Sequence, residues 1–225
     1  MLTKDKDFDY FHENMGQADA FVPVPPDALA HYRGKLPDNL LYIWQRLGWS
    51  SYGQGRFWLT NPADYVDVVD RWLRGSPIAQ IDTWHVITRS AFGDLRVFGE
   101  QTARSFNVSS PCHGLIGLLG DLRKKEPDPD LSVDVIVIST DFERNDLVGS
   151  NGKPLFASAL KKLGPLGVDE MYGFEPHPLV GGKFDVKSLC KVKLRGYMLT
   201  QADLAPIMTP YGAISTADIE ALDRE

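Results

Sequence analysis

The segment Leu163–Gly182, LGPLGVDEMYGFEPHPLVGG, constrains the fold of this chain more than any other, because five glycines and three prolines fall within its twenty residues. Residues of these two types, at such density, prescribe particular backbone angles. Aromatic residues, Tyr172 and Phe174, lie among them, which distinguishes the segment from an ordinary flexible linker. We therefore expect a shaped surface loop that packs on the protein and presents Glu170 and Glu175 at its centre.

The rest of the chain shows patterns of both helices and strands. Apolar stripes bounded by Pro and Gly predict helices in the first eighty residues, and short β-rich runs between Trp84 and Val108 predict an antiparallel meander. Further helices are expected at 155–164 and 187–198, and a capped one at Ala217–Asp223. The fold class that follows is α+β, an antiparallel β meander packed with helices and followed by a smaller, mostly helical subdomain.

A charged stretch with two prolines, KKEPDPD at 124–130, is the best position for a boundary because it holds no apolar residue. We place one domain at 1–123 and a second at 131–225, closely packed on the first. The run LSVDVIVIST at 131–140 is ambiguous. Its β-branched residues favour a strand, but a buried helix is also compatible with them.

Charge limits the class of partner. The net charge is −6 with a pI of about 5.4, which argues against binding a phosphate backbone and favours a basic partner. Eight acids and only four bases lie between Asp121 and Asp146. This acidic segment is either a docking face or an ordinary solvated surface. The start of the chain resembles no signal peptide, and no 18-residue apolar span occurs, so we expect a cytoplasmic protein without membrane contact.

No motif for catalysis is visible. The chain has no P-loop, no dinucleotide-binding glycine pattern and no nucleophile elbow, and its five histidines do not pair at metal-binding spacing. Cys112 and Cys190 read as reduced, buried thiols. They could form a zinc site with His113 and His177 only if the fold brought all four together. We therefore expect no metal, no cofactor and no enzymatic activity.

Two stretches carry a family resemblance. KPLFASALKKLGPLGVDEMYGFEPHPLVGG, at 153–182, resembles the C-terminal domain of type VI secretion immunity proteins that pair with secreted DNase toxins. LPDNLLYIWQRLGWSSYGQGRFWLTNPADY, followed by AFGDLRVFG, is similar to the GAD-like domain that precedes it in that family. The first half also has a distant likeness to the SUKH immunity superfamily. The resemblance spans residues 5–210, although His177-Pro178 departs from the expected pattern.

This resemblance implies a cytoplasmic protein that binds a cognate toxin and blocks its nuclease activity without contacting nucleic acid itself. A DNase needs a basic surface, and an acidic inhibitor complements it. The candidate toxin-binding residues are seven acids and two aromatic residues: Asp128, Asp130, Asp141, Glu143, Asp146, Glu170, Glu175, Tyr172 and Phe174. The two aromatic residues are either binding anchors or pins that hold the loop to its own core.

Two other functions remain open at this stage. One is a SUKH-like scaffold or regulatory binding module, which an absence of a neighbouring toxin gene would favour. The other is a hydrolase that reverses a toxin's modification, which would need a convergent polar pocket.

Overall fold

Alternating apolar residues produce a seven-stranded antiparallel sheet in which every strand pairs with the next along the chain. The computed structural model describes residues 4–117 and 122–207, and the predicted helix Ala217–Asp223 lies outside them. The strands of this sheet are β1 (Ala18–Ala20), β2 (Ser51–Tyr52), β3 (Phe57–Leu59), β4 (Trp84–Ser90), β5 (Asp94–Gly99), β6 (Ser105–Ser109) and β7 (Gly114–Ile116). The predicted α+β class with its antiparallel meander is confirmed.

Helices cover both faces of the sheet. They are α1 (Asp5–Met15), α2 (Pro26–Tyr32), α3 (Asp38–Leu47), α4 (Val66–Trp72), α5 (Pro129–Val133), α6 (Phe156–Leu163) and α7 (Leu194–Gln201). Short 3-10 turns lie at Pro62–Tyr65, Pro77–Gln80, Pro178–Val180 and Val186–Ser188. None of the helices in the described part of the chain is long and apolar enough to cross a bilayer.

Three expectations about the second half change. Within 131–140, the end of α5 and a π-helical turn, Asp134–Ile138, replace the favoured strand, and this helical segment buries only one side. The predicted loop around residues 170–175 contains strand β8 (Glu170–Phe174), which pairs with β9 (Leu189–Lys193). The helix predicted over 187–198 is wrong, because its first half is β9 and only α7 is helical. The five residues of β9 pair one for one with those of β8, from Leu189 opposite Phe174 to Lys193 opposite Glu170.

The register of the central strands gives the sheet two chemically different faces, since residues directly opposite each other share a face. One face, here called the apolar face, carries a row in which each residue lies opposite the next on the neighbouring strand: Trp58, Arg89, Leu95 and Val108. On the other face, here called the polar face, the pairings join Ser90, Asp94 and Ser109 in one row and Thr88, Arg96 and Asn107 in the next. Polar side chains therefore occupy the middle of a sheet whose other face is packed with apolar ones.

Three buried apolar clusters hold the molecule together, and each contains residues from before and after the predicted boundary. Val133 and Val137 pack with α1 and α3, Met171 and Met198 pack with α4 and the apolar face, and Tyr172 packs with residues of the β4–β5 turn. The second half is thus part of the same core as the first.

Asn39 forms a polar connection between the two halves. This fully buried residue of α3 donates from Nδ2 to the Asp134 carboxylate at 2.8 Å and to the Asp130 carbonyl at 3.3 Å. Its backbone N–H donates to the Asp130 carboxylate at 3.2 Å. Buried polar groups with several such partners are expensive to disrupt.

Replacing Asn39 by Ala should lower the free energy of unfolding by about 2 to 4 kcal/mol, because the Asp130 carbonyl and the Asp134 carboxylate lose the hydrogen bonds from the buried Asn39 amide. Urea denaturation followed by circular dichroism would measure this loss. Asn14→Ala is the matched control, since the exposed Asn14 amide donates to the Tyr10 carbonyl of its own helix. Equal stability of the two variants would contradict a structural role for Asn39.

Candidate functional site

Most of the predicted acidic residues stabilise the chain around them. Asp146 is the clearest case, with a side chain only 7% exposed. Its Oδ1 accepts from the backbone N–H groups of Leu155 and Phe156 at 3.1 and 2.9 Å, where α6 begins, and from that of Leu147 at 2.8 Å. Carboxylates at helix N-termini satisfy donors that have no partner in the helix.

Asp128, Asp130 and Glu170 also have partners inside the molecule. Asp128 caps α5 by accepting from the Leu131 N–H at 3.0 Å, and Asp130 accepts from Asn39. Glu170 accepts from the Gly167 N–H at 2.9 Å and lies 3.6 Å from the Lys193 ammonium. These three acids therefore contribute to local structure, and only Asp128 among them is largely exposed.

Three predicted acids remain available to a partner. Asp141 accepts from the Arg144 N–H at 2.8 Å, and the two side chains are 41% and 63% exposed. Glu143 and Glu175 are exposed, and neither carboxylate has a partner within residues 4–117 and 122–207.

The two predicted aromatic residues lie in the core. Tyr172 is completely buried between Phe92 and Phe156, and its hydroxyl donates to the Gly164 carbonyl at 2.7 Å. Burial raises the pKa of Tyr172 to about 12. Phe174 is 3% exposed and packs edge-on against Phe184. Neither side chain is accessible to a partner. Of the two alternatives, both aromatic residues therefore hold this segment to its own core.

The histidines and cysteines do not assemble into a metal site. His113 and His177 come close, with ring centroids 6.4 Å apart, but each bonds through Nε2 to a backbone carbonyl. Both cysteines are free, and Cys112 is exposed, contrary to the expectation of a buried thiol. Across residues 4–117 and 122–207, no group of three or more His, Cys, Asp or Glu could hold a metal ion.

The structure has a cleft at the apolar face of the sheet that the sequence did not predict. This cleft, here called the aromatic cleft, has a volume of about 710 Å³. It lies between Trp58, the start of α4 and the loop at residues 168–169. Its walls include Trp49, Trp58 and Tyr65. Val66 and Val168, which are 55% and 71% exposed, lie at its opening.

Four aspartates and one arginine line this aromatic cleft: Asp64, Asp67, Asp70, Asp169 and Arg195. Arg195 pairs with Asp67 at 2.6 Å, and Asp169 pairs with Lys193 at 2.7 Å. Asp64 accepts only from Asn61, and Asp70 has no partner among the described residues. The cleft therefore has a net negative lining with two acids open to a cation.

A buried arginine supports the wall of the cleft. The Arg89 guanidinium stacks 4.1 Å from the centre of the Trp58 ring and donates to the Val168 carbonyl at 3.0 Å. Burial lowers the pKa of Arg89, an effect opposed by the neighbouring Tyr65 hydroxyl. Stacking and the hydrogen bond hold Trp58 against the 168–169 loop, which fixes two walls of the cleft relative to each other.

The sequence did contain a signal for this site. Asp64, Asp67 and Asp70 are spaced three residues apart, which places them on one helical stripe beside the apolar stripe of α4. Their juxtaposition with residues 168 and 169, a hundred positions later, depends on the tertiary fold.

Comparison with known protein families finds two domains, in the order that the sequence motifs predicted. Residues 6–112 match the family model of the GAD-like domain, and residues 139–205 match that of the T6SS immunity protein Tdi1, C-terminal. The crystal structure of Atu4351 from Agrobacterium tumefaciens superposes with a TM-score of 0.80 and 24% identity, covering 94% of this chain and 98% of that one. This structural likeness shows the fold alone. No curated protein matches the chain.

The fold and the two matched segments describe an α+β protein in which a GAD-like domain precedes a domain similar to the C-terminal domain of the T6SS immunity protein Tdi1. These are the two domains that the sequence motifs indicated.

The position of Tyr172 leads to a test of its role. Tyr172→Phe should lower the free energy of unfolding by about 1 kcal/mol, because the Gly164 carbonyl loses its donor, and Tyr172→Ala should lower it by about 3 to 5 kcal/mol. Thermal unfolding of both variants would measure the loss. A variant that binds a partner less tightly but melts at the original temperature would show instead that Tyr172 is a binding anchor.

Proposed function

We propose that this protein is a cytoplasmic immunity protein that binds a cognate type VI secreted toxin, a DNase with a basic surface, and inhibits it stoichiometrically without turnover. The observation that carries this proposal is the match of residues 139–205 to an immunity protein domain. The net charge of −6 supports a basic partner, since opposite charge accelerates association and favours the correct complex.

We further propose that the toxin docks at the aromatic cleft. Aromatic walls, exposed valines at the opening and unpaired aspartates suit a segment in which aliphatic side chains alternate with Lys or Arg. The cleft is formed by residues of both matched segments, 22–70 and 168–195. Glu143 and Glu175, the predicted acids with free carboxylates, are the second candidate contacts.

The first experiment is a titration of this protein into the purified C-terminal domain of the toxin encoded beside its gene, with binding and plasmid cleavage measured together. Nanomolar affinity with complete loss of cleavage at one equivalent is the expected result. Tight binding with cleavage intact would indicate an adaptor or scaffold instead, and absence of binding would reject the proposal for that pair.

Charge reversal separates the two candidate contact regions. Asp64→Lys combined with Asp70→Lys should weaken toxin binding roughly tenfold or more at low salt, mainly through a slower association rate. Glu143→Lys combined with Glu175→Lys tests the other region. Asp27→Lys is the control, because Asp27 is an exposed acid of α2 that belongs to neither region. If only the Glu143 and Glu175 variant weakens binding, docking at the aromatic cleft is wrong while the immunity function stands.

A further inference from the structure

A second cleft, of about 670 Å³, lies over the polar face of the sheet. The strands β4, β5 and β6 form its floor, and α5 with the following π-helical turn forms one wall. Arg144 and Asn145 complete the rim. Arg89 also contributes to the lining of this polar cleft, but the Arg89 guanidinium lies with the Trp58 ring on the opposite face of the sheet, beside the aromatic cleft.

Several polar side chains in this cleft have no partner. Within residues 4–117 and 122–207, no side-chain hydrogen bond is made by Thr88, Arg96, Ser105, Asn107 or Ser132. Thr88 is only 6% exposed, and Arg96, Ser105 and Asn107 are half-buried. Partly buried polar groups normally have partners in the protein or in a ligand, and here five of them converge on one cavity.

The neighbouring carboxylate is already satisfied. Asp94 accepts from the Ser109 hydroxyl at 2.5 Å and from the Ser90 hydroxyl at 3.2 Å. Burial raises the pKa of Asp94, and these two hydrogen bonds and Arg96 oppose the rise. Asp94 makes no hydrogen bond or close ion pair with the Arg96 guanidinium in the described structure.

The acids at the opening are also engaged. Glu126 pairs with Arg104 at 2.7 Å, and Asp128 caps α5. Arg96 therefore faces the cavity as a guanidinium whose five N–H donors have no acceptor in the described part of the chain. Burial lowers the pKa of Arg96, an effect that Asp94 opposes, but an arginine remains charged at neutral pH. A planar guanidinium in this position matches the two oxygens of a carboxylate or phosphate.

We propose that the polar cleft binds a small molecule through its carboxylate or phosphate group, with Arg96 pairing with the oxyanion and Asn107, Thr88 and Ser105 donating hydrogen bonds around it. The site does not depend on toxin binding, since its residues lie on the other face of the sheet from the proposed docking cleft. It gives the immunity protein a ligand site of its own.

Inorganic phosphate and succinate are suitable probes, because each supplies one of the two oxyanions. The full protein in a buffer free of both would be titrated with each, and backbone amide resonances would be followed by NMR. We expect saturable shifts at Arg96, Asn107 and Thr88 with at least one probe, and the probe that binds identifies the preferred group. Small shifts spread over surface lysines, with none at these residues, would overturn the proposal.

Variants test the assignment of the cation. Arg96→Gln should weaken binding of the probe by roughly tenfold or more, as expected for loss of a charge-assisted pair, and Asn107→Ala should weaken it less. Arg74→Gln is the matched control, because Arg74 is an exposed arginine outside the cleft. Equal affinity of the Arg96 and Arg74 variants would contradict the proposed site even if the probe binds.

A titration of the toxin with the Arg96→Gln variant tests whether the polar cleft takes part in toxin binding. Folded Arg96→Gln should still inhibit the toxin at one equivalent, because the docking cleft is unchanged. If that variant binds the probe normally but fails to inhibit, the polar cleft is a toxin contact and the small-molecule proposal is wrong.

Discussion

Burial of the second half of the chain against the sheet of the first half is the constraint on which the rest of the structure depends. Val133 and Val137 complete the core around α1 and α3, and Met171 and Met198 complete the core beneath α4. Met171, Met198, Val133 and Val137 are all fully buried. Removal of such side chains from water is the main favourable contribution to folding, so neither half of this core would be filled without the other.

This shared core explains why so many of the acids have structural roles. A segment that crosses from one half to the other must begin helices against an existing surface, and each new helix leaves backbone N–H groups without partners. Asp128 and Asp146 accept from those groups at the starts of α5 and α6, and Asp130 accepts from Asn39. Several acids of the 121–146 segment are therefore needed as hydrogen-bond acceptors for backbone N–H groups, whether or not they also contact a partner.

The sequence predicted the α+β class, most helices of the first half and the meander, because Pro, Gly and apolar spacing are local signals. It did not predict β8 and β9. Glycine and proline around Glu170 favoured a loop, whereas Tyr172 and Met171 are drawn into a strand by burial against the β4–β5 turn. The aromatic cleft was missed for a similar reason, since Asp70 and Asp169 meet only in the folded protein. Tertiary contacts override local preference in both cases.

Arg89 and Arg96 show how the two faces of the sheet differ in the surroundings that they give to a charged side chain. Thr88 is paired with Arg96 and Arg89 with Leu95, so the two arginines occupy adjacent positions on neighbouring strands but opposite faces. On the apolar face, Trp58 and the Val168 carbonyl hold the Arg89 guanidinium, although its Nε and Nη1 have no partner among the described residues. On the polar face, no described residue covers Arg96 in an equivalent way, and the neighbouring side chains Thr88 and Asn107 are polar. A half-buried guanidinium that faces a polar cavity is available to pair with an oxyanion, and this position of Arg96 is the basis of the ligand site proposed above.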